Sequence, residues 1–187
     1  MERFQGKYRI DTCRLKHWDY SAQGYYFVTV CTDKKAKLCG EIMEYQMNLN
    51  NTGESIKRIW NMIPDYFPSV ILDEYVVMPD HFHGIIRITK QNDCKDEIIC
   101  SDKDAMNRVS TFKSRGGITG TKNPILLENS LGKIMRWFKG RCTFEINKMQ
   151  TDYVFRWQRS YYERIIRSER ELVNIRNYIK NNPWGEK

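Results

Sequence analysis

The stretch Tyr75-Val-Val-Met-Pro-Asp-His-Phe-His-Gly-Ile-Ile-Arg-Ile88 constrains the fold more than any other part of the chain. Apolar, β-branched runs lie on either side of Pro79-Asp80, which a strand cannot cross. Residues 70–89 therefore read as two antiparallel strands meeting at a tight turn. Side chains two apart in a strand share a face, so His81 and His83 stand side by side while Phe82 turns to the other face. Two adjacent imidazoles can bind a metal ion or a phosphate. The chain has 3 histidines. The third, His17, lies beside Trp18 and reads as an ordinary surface or half-buried residue. A His-x-His pair alone is more often packed or exposed than ligating, so a site needs further groups from elsewhere.

The remaining elements follow from periodicity. Residues 25–32, Tyr-Tyr-Phe-Val-Thr-Val-Cys-Thr, read as a buried strand, and residues 38–43 as a weaker extended piece. Residues 51–63 read as a helix with Asn51 and Glu54 as a capping box and Ile56, Ile59, Trp60 and Ile63 on one face, ended by Pro64. A second helix is expected over 130–150, with Leu131, Ile134, Met135, Phe138, Cys142, Ile146 and Met149 along its apolar stripe. Residues 153–158 and 161–166 read as a loop and a strand. The last helix spans about 169–182, capped by Ser168 with Glu171, carrying Leu172, Ile175 and Ile179 inward and stopped by Pro183. Residues 91–128 are polar and aperiodic and read as a surface loop or insertion. The sum is a single α+β domain over 1–187: an antiparallel sheet with helices packed on one face.

Charge narrows the partners. With 31 Lys+Arg against 23 Asp+Glu the net charge is +8, which favours nucleic acid or an anionic membrane surface. Most of the excess lies late in the chain: residues 131–180 hold 12 basic and 5 acidic residues, a net of +7. A basic face on a single helix is usually just solvated, but this concentration suits a phosphate backbone. No apolar run is long enough to span a bilayer, and the polar N-terminus does not read as a signal peptide. The 6 cysteines are scattered, with no CxxC pair, and read as reduced thiols of a cytoplasmic protein.

The last helix offers groups that could complete the histidine pair. Tyr178 and Asn182 lie one turn apart on one face, at the edge of the apolar stripe. If that helix packs near the histidine strand, Asn182 can offer a carbonyl oxygen to a metal and Tyr178 a nucleophilic phenol to a phosphate. Tyr161 and Tyr162 are rivals among 11 tyrosines, and an Asn before Pro is a common helix terminator.

Three motifs in order carry a family likeness: Val76-Val-Met-Pro-Asp-His-Phe-His-Gly-Ile-Ile86, Trp157-Gln-Arg-Ser-Tyr-Tyr-Glu-Arg-Ile-Ile-Arg167 and Tyr178-Ile-Lys-Asn-Asn-Pro183. Together they resemble the REP-associated tyrosine transposases, single-tyrosine HUH transposases related to the IS200/IS605 group. The resemblance spans most of the chain outside 91–128. It implies a ferredoxin-like α+β domain that cuts single-stranded DNA beside hairpins. It implies His81 and His83 as the histidine pair, Asn182 as third ligand to Mg²⁺ or Mn²⁺, and Tyr178 as the nucleophile forming a 5′-phosphotyrosine. Asp80 stands where many relatives carry Asn, so it either tightens metal binding or caps the turn. For DNA contacts the expectations are Arg136, Lys139 and Arg141 on the basic helix, with Trp157 and Arg159 beyond it. Relatives act as monomers or as homodimers that exchange tyrosine helices, and both remain open. The expected location is the cytoplasm, on the nucleoid when bound. Two other readings stay open: a non-cleaving hairpin-binding protein, and a metal phosphodiesterase that uses water.

Overall fold

The computed structural model describes residues 3–4, 7–8, 19–44, 46–89, 130–149 and 152–185. The expected insertion at 91–128 and His17 lie outside the described residues. Two short strands, β1 (Arg3–Phe4) and β2 (Lys7–Tyr8), pair with each other. The central sheet has four antiparallel strands in the order β6 (Val70–Val77), β7 (His81–Ile88), β3 (Gly24–Cys31), β8 (Tyr162–Ile166). A separate hairpin joins β4 (Gly40–Met43) to β5 (Gln46–Leu49). Four α-helices are described: α1 (Asn51–Asn61), the short α2 (Ile63–Tyr66), α3 (Leu131–Met149) and α4 (Glu169–Gly185).

The α+β class and the antiparallel sheet are as the sequence predicts. The one-sided covering is not. Helices α1 and α3 pack on one face, over a core that includes Tyr26, Val28, Trp60, Phe82, Ile86 and Phe138. On the opposite face a smaller core of Ile85, Ile166, Leu172 and Ile179 receives α4. β7 is therefore buried on both faces: Phe82 and Ile86 point to one core and Ile85 to the other. Periodicity identifies a helix's apolar stripe but not which side of a sheet it covers, and that is the origin of the error.

Smaller differences have local causes. The cap of α1 is Asn50, not Asn51; its side-chain oxygen accepts from the amides of Thr52 and Gly53. Pro64 does not end the helical run but sits in the first turn of α2, where its missing N–H is tolerated. Met149 leaves the apolar stripe and is 56% exposed, because the last turn of α3 runs past the core. Ser168 caps α4 as expected, its hydroxyl accepting from the Glu171 amide. Glu171 reaches back to the Arg167 amide. α4 also continues through Pro183 to Gly185. A proline forfeits its hydrogen bond to the preceding turn and crowds the carbonyl four residues back, and with only Pro183 to Gly185 left the helix ends within that turn.

What holds α4 down decides where its side chains stand. Leu172 and Ile179 are each 2% exposed. Burying two such side chains contributes roughly 3–6 kcal/mol. Ion pairs add to this: Arg176 forks onto Asp73, with Nε and one terminal nitrogen 3.0 and 2.6 Å from the two carboxylate oxygens, and Lys180 lies 2.8 Å from Glu74. Such exposed pairs give about 1 kcal/mol each at most, so the apolar anchor dominates and the pairs set the rotation of the helix. Asp73 and Glu74 lie between Leu72 and Tyr75, where the pairing of β6 with β7 shifts register.

Candidate active site

β3 and β7 pair in a register that sets Thr29 across from His83 and Cys31 across from His81. Alternation along the strands sets these side chains on the sheet face opposite Tyr26, Val28 and Val30, the face that receives α4. The Thr29 hydroxyl lies 2.8 Å from Nδ1 of His83, and the Asp80 carboxylate lies 2.5 Å from Nδ1 of His81. Each imidazole is thus fixed at Nδ1 by a neighbour, which leaves Nε2 as its working nitrogen. The ring centroids of His81 and His83 are 4.6 Å apart. The backbone carbonyl of Asp80 accepts from both the amide and the hydroxyl of Thr32, so the turn before His81 is tied to the end of β3. Asp80 therefore both braces the turn and orients an imidazole. No separate sequence signal marks Thr29; it is one polar residue in an apolar strand, and only the register reveals its partner.

α4 brings Tyr178 to this pair. Its phenol oxygen is 3.2 Å from Nε2 of His83. Phe27 stacks on the His83 ring at 5.3 Å and meets the Tyr178 ring edge-on at 6.2 Å. His83 is 5% exposed, whereas Tyr178 is 50% exposed. The phenol can therefore be reached from solvent while its partner nitrogen is sealed below it. Burial first, and the neighbouring His81 second, push the His83 imidazole down to about 3, against the opposing pull of Asp80. His83 is accordingly neutral near pH 7. In the tautomer that carries its proton on Nδ1, that N–H donates to Thr29 and the Nε2 lone pair accepts the Tyr178 O–H.

Asn182 follows Tyr178 by one helical turn, and its amide nitrogen is buried without a hydrogen-bond partner. An amide so placed has an unused end, and the assignment of its nitrogen and oxygen can be reversed. Among the described residues no group of three His, Cys, Asp or Glu side chains is placed to hold a metal. The groups that could serve an ion are the Nε2 atoms of the two adjacent imidazoles, with Asn182, one turn after Tyr178, as the candidate amide oxygen. That set of two nitrogens and one oxygen fits a divalent cation, and both Nδ1 atoms carry the outer partners such ligands require.

Of the two rivals, Tyr161 packs against the core beneath α1 and α3, whereas Tyr162 lies across from Thr29 on β8, 60% exposed on the histidine face and one strand further out than Thr29. The five residues expected to touch DNA divide. Lys139 is turned inward, its ammonium donating to the carbonyls of Gln158, Arg159 and Ser160 at 2.6, 3.1 and 3.1 Å. Burial lowers its pKa to about 8. Arg141 pairs with Glu145, which also takes Arg58. Trp157 is 9% exposed, bridges to Thr32 and packs against Phe155 and Phe138. These three serve the fold. Charge alone could not reveal the inward turn of Lys139, whose carbonyl partners lie about 20 residues on, whereas the Arg141–Glu145 pair is an i,i+4 spacing already present in the sequence. Arg136 and Arg159 are exposed.

No protein-family model matches the chain. An uncharacterized protein of Haemophilus influenzae is 38% identical over 170 residues, which cover 91% of this chain and 86% of that protein. Among solved structures, a REP-associated tyrosine transposase bound to a REP hairpin aligns with a TM-score of 0.57 at 14% identity, covering 94% of this chain and 73% of that one. A transposase-like protein of Deinococcus radiodurans aligns with a TM-score of 0.46 at 13% identity, covering 93% and 97%. The chain thus shares the fold of the REP-associated tyrosine transposase, and by sequence it belongs to one family with the uncharacterized Haemophilus influenzae protein.

Proposed function

We propose that this chain is a transposase or nickase that cuts and rejoins single-stranded DNA at hairpin-flanked, REP-like sites through a covalent bond to Tyr178. The observation that carries the reading is the phenol oxygen of Tyr178, half exposed and 3.2 Å from the buried, neutral His83 imidazole, with His81 beside it. A bare structural tyrosine needs neither the second imidazole nor the fixed Nδ1 partners.

In the reaction, the Tyr178 oxygen gives up its proton and attacks the scissile phosphorus. A new O–P bond forms to the 5′ side, and the P–O bond to the 3′ oxygen breaks, releasing a 3′-hydroxyl once that oxygen is protonated. The phosphotyrosine keeps the ester energy, so a second 3′-hydroxyl can reverse the step without ATP. His81, His83 and Asn182 would hold Mg²⁺ or Mn²⁺, which when bound supplies Lewis-acid polarisation of the phosphate. Thr29 and Asp80 keep both imidazoles turned with Nε2 outward. Nε2 of His83 can hold the phenol or serve as a ligand, but not both, so the Tyr178–His83 hydrogen bond belongs to the resting state. The Tyr178–His83 hydrogen bond within one chain supports the reading that the nucleophile acts in its own subunit.

The test is incubation with end-labelled single-stranded hairpin DNA and Mn²⁺, followed by denaturing electrophoresis. The expected result is a protein–DNA adduct that Tyr178→Phe abolishes. Cleavage without an adduct would make water the nucleophile. Binding with no cleavage under Mg²⁺ or Mn²⁺ would leave a hairpin-binding protein and overturn the enzyme reading.

A further inference from the structure

An open groove of about 800 Å³ runs between α3 and the segment that follows Phe155. Its walls include Phe144, Lys148, Arg156 and Arg159, with Trp157 at its base. Two features separate it from an ordinary basic surface. Phe144 is 65% exposed, an aromatic ring left in water beside cations. Lys148, Arg156 and Arg159 make no ion pair with a described carboxylate, whereas Arg58 and Arg141 share Glu145 and Lys139 is held by backbone carbonyls. Three cations without a described carboxylate partner therefore line the groove beside an exposed ring.

The groove lies on the α3 side of the sheet and the histidines on the α4 side, and backbone hydrogen bonds at the end of β3 link the two. The Gln158 amide donates to the Cys31 carbonyl, the Asp33 amide donates to the Arg156 carbonyl, and Trp157 bridges to Thr32. Cys31 is the cross-strand neighbour of His81. One wall of the groove is thus one strand away from the histidine pair.

We propose that this groove binds the unpaired DNA strand beside the scissile phosphate, with phosphates on Lys148, Arg156 and Arg159 and a base stacked on Phe144. The assignment rests on the DNA-cleaving reading above and adds to it the path of the strand. An exposed ring flanked by unpaired cations is the chemistry single strands select: bases stack on the ring whatever their identity, and the cations track the backbone. Duplex DNA keeps its bases stacked on one another and gains nothing from Phe144.

Fluorescence anisotropy with a labelled, unstructured oligothymidylate, in chelator so that cleavage is silent, tests this without reference to chemistry. Phe144→Ala should weaken binding roughly 5- to 150-fold, the range for one stacked base. Phe144→Trp should restore it. Arg156→Gln with Arg159→Gln should flatten the plot of log affinity against log salt by about 1.4, or about 0.7 per phosphate released. Phe144 and both arginines are solvent-facing, so the variants should fold, which circular dichroism checks. Unchanged affinity in Phe144→Ala together with an unchanged salt slope in the arginine variant would overturn the groove assignment. The two proposals fail separately: an adduct at Tyr178 with normal binding by the groove variants sinks only the groove. Groove-dependent binding without an adduct sinks only the cleavage reading.

Discussion

Replacing Thr29 by valine asks whether the candidate site depends on a hydroxyl that never touches substrate. The two side chains are nearly the same shape, so packing against Phe27 and His83 is kept. What changes is one 2.8 Å hydrogen bond to Nδ1 of an imidazole that is 5% exposed. Removing one partner and leaving the other buried and unsatisfied costs about 1–3 kcal/mol. For a chain of this size that is a fall in Tm of roughly 2–12 °C. The same loss frees the ring to change tautomer or turn, and outer partners of this kind are worth 10- to 100-fold in metal affinity. Mn²⁺ titration by calorimetry should therefore show weaker binding in Thr29→Val, with Thr29→Ser restoring most of it. The ¹⁵N shifts of His83 should show a loss of the single Nε2-lone-pair tautomer. A Thr29→Val protein with unchanged Tm, Mn²⁺ affinity and His83 tautomer would refute the role assigned to Thr29 and remove one of the arguments for a prepared site.

Two further outcomes follow from packing and charge. A Cβ on Gly84 would lie 2.5 Å from Cζ2 of Trp60, whose ring is fully buried against Phe82 and Phe138, so Gly84→Ala should cost about 1–3 kcal/mol in chemical denaturation. The penalty should shrink in a Trp60→Phe background; equal penalties in both backgrounds would show that the ring is not the obstacle. The Arg176 fork beside Asp73 holds its carboxyl below the ordinary value of 3.8, so it stabilises the fold above about pH 4 and loses that contribution as pH falls through the lower folded value. Asp73→Asn should accordingly lower stability at pH 7 and approach wild type at pH 2–3, and a constant gap across that range would contradict the assignment.

What the sequence could convey was what depends on local pattern. The Pro79-Asp80 break, the alternation through Phe82 and the stripe Leu131–Ile134–Phe138–Cys142 each carry their own geometry, and the observed elements match them closely. The candidate site was partly legible for the same reason: His81 with His83 is a period of two, and Tyr178 with Asn182 is one helical turn. The meeting of those two pieces is not a local fact. It depends on α4 lying on the face opposite α1 and α3, which the stripe of α4 cannot specify. Thr29 and the inward Lys139 escaped notice because each is defined by a partner 54 or about 20 residues away, fixed by strand register and loop path. The Asn50 cap was missed by one residue, since neighbouring asparagines are equally good candidates until the first turn of the helix is placed.

The division of the core bears on how Tyr178, the proposed nucleophile, is used. Among the described residues, 22 form the buried cluster beneath α1 and α3, and 4 form the one beneath α4. The histidines ride on β7, which both clusters grip, while Tyr178 rides on a helix gripped by the smaller one alone. Releasing α4 forfeits chiefly the burial of Leu172 and Ile179, roughly 3–6 kcal/mol, together with its exposed ion pairs, about 1 kcal/mol each at most. Releasing β3 or β7 requires global unfolding, at 5–15 kcal/mol for an ordinary domain. The sheet therefore holds the imidazoles rigid, and the helix has a cheaper way to move. That suits a phenol which must leave Nε2 of His83 before both groups can engage one phosphate. Native-state hydrogen exchange should resolve the difference: amides in the middle of α4 opening at a free energy below those of β3 and β7, with a smaller denaturant dependence. If α4 amides exchanged only by global unfolding, the helix would be as fixed as the sheet. Tyr178 would then have to reach the phosphate by side-chain rotation alone.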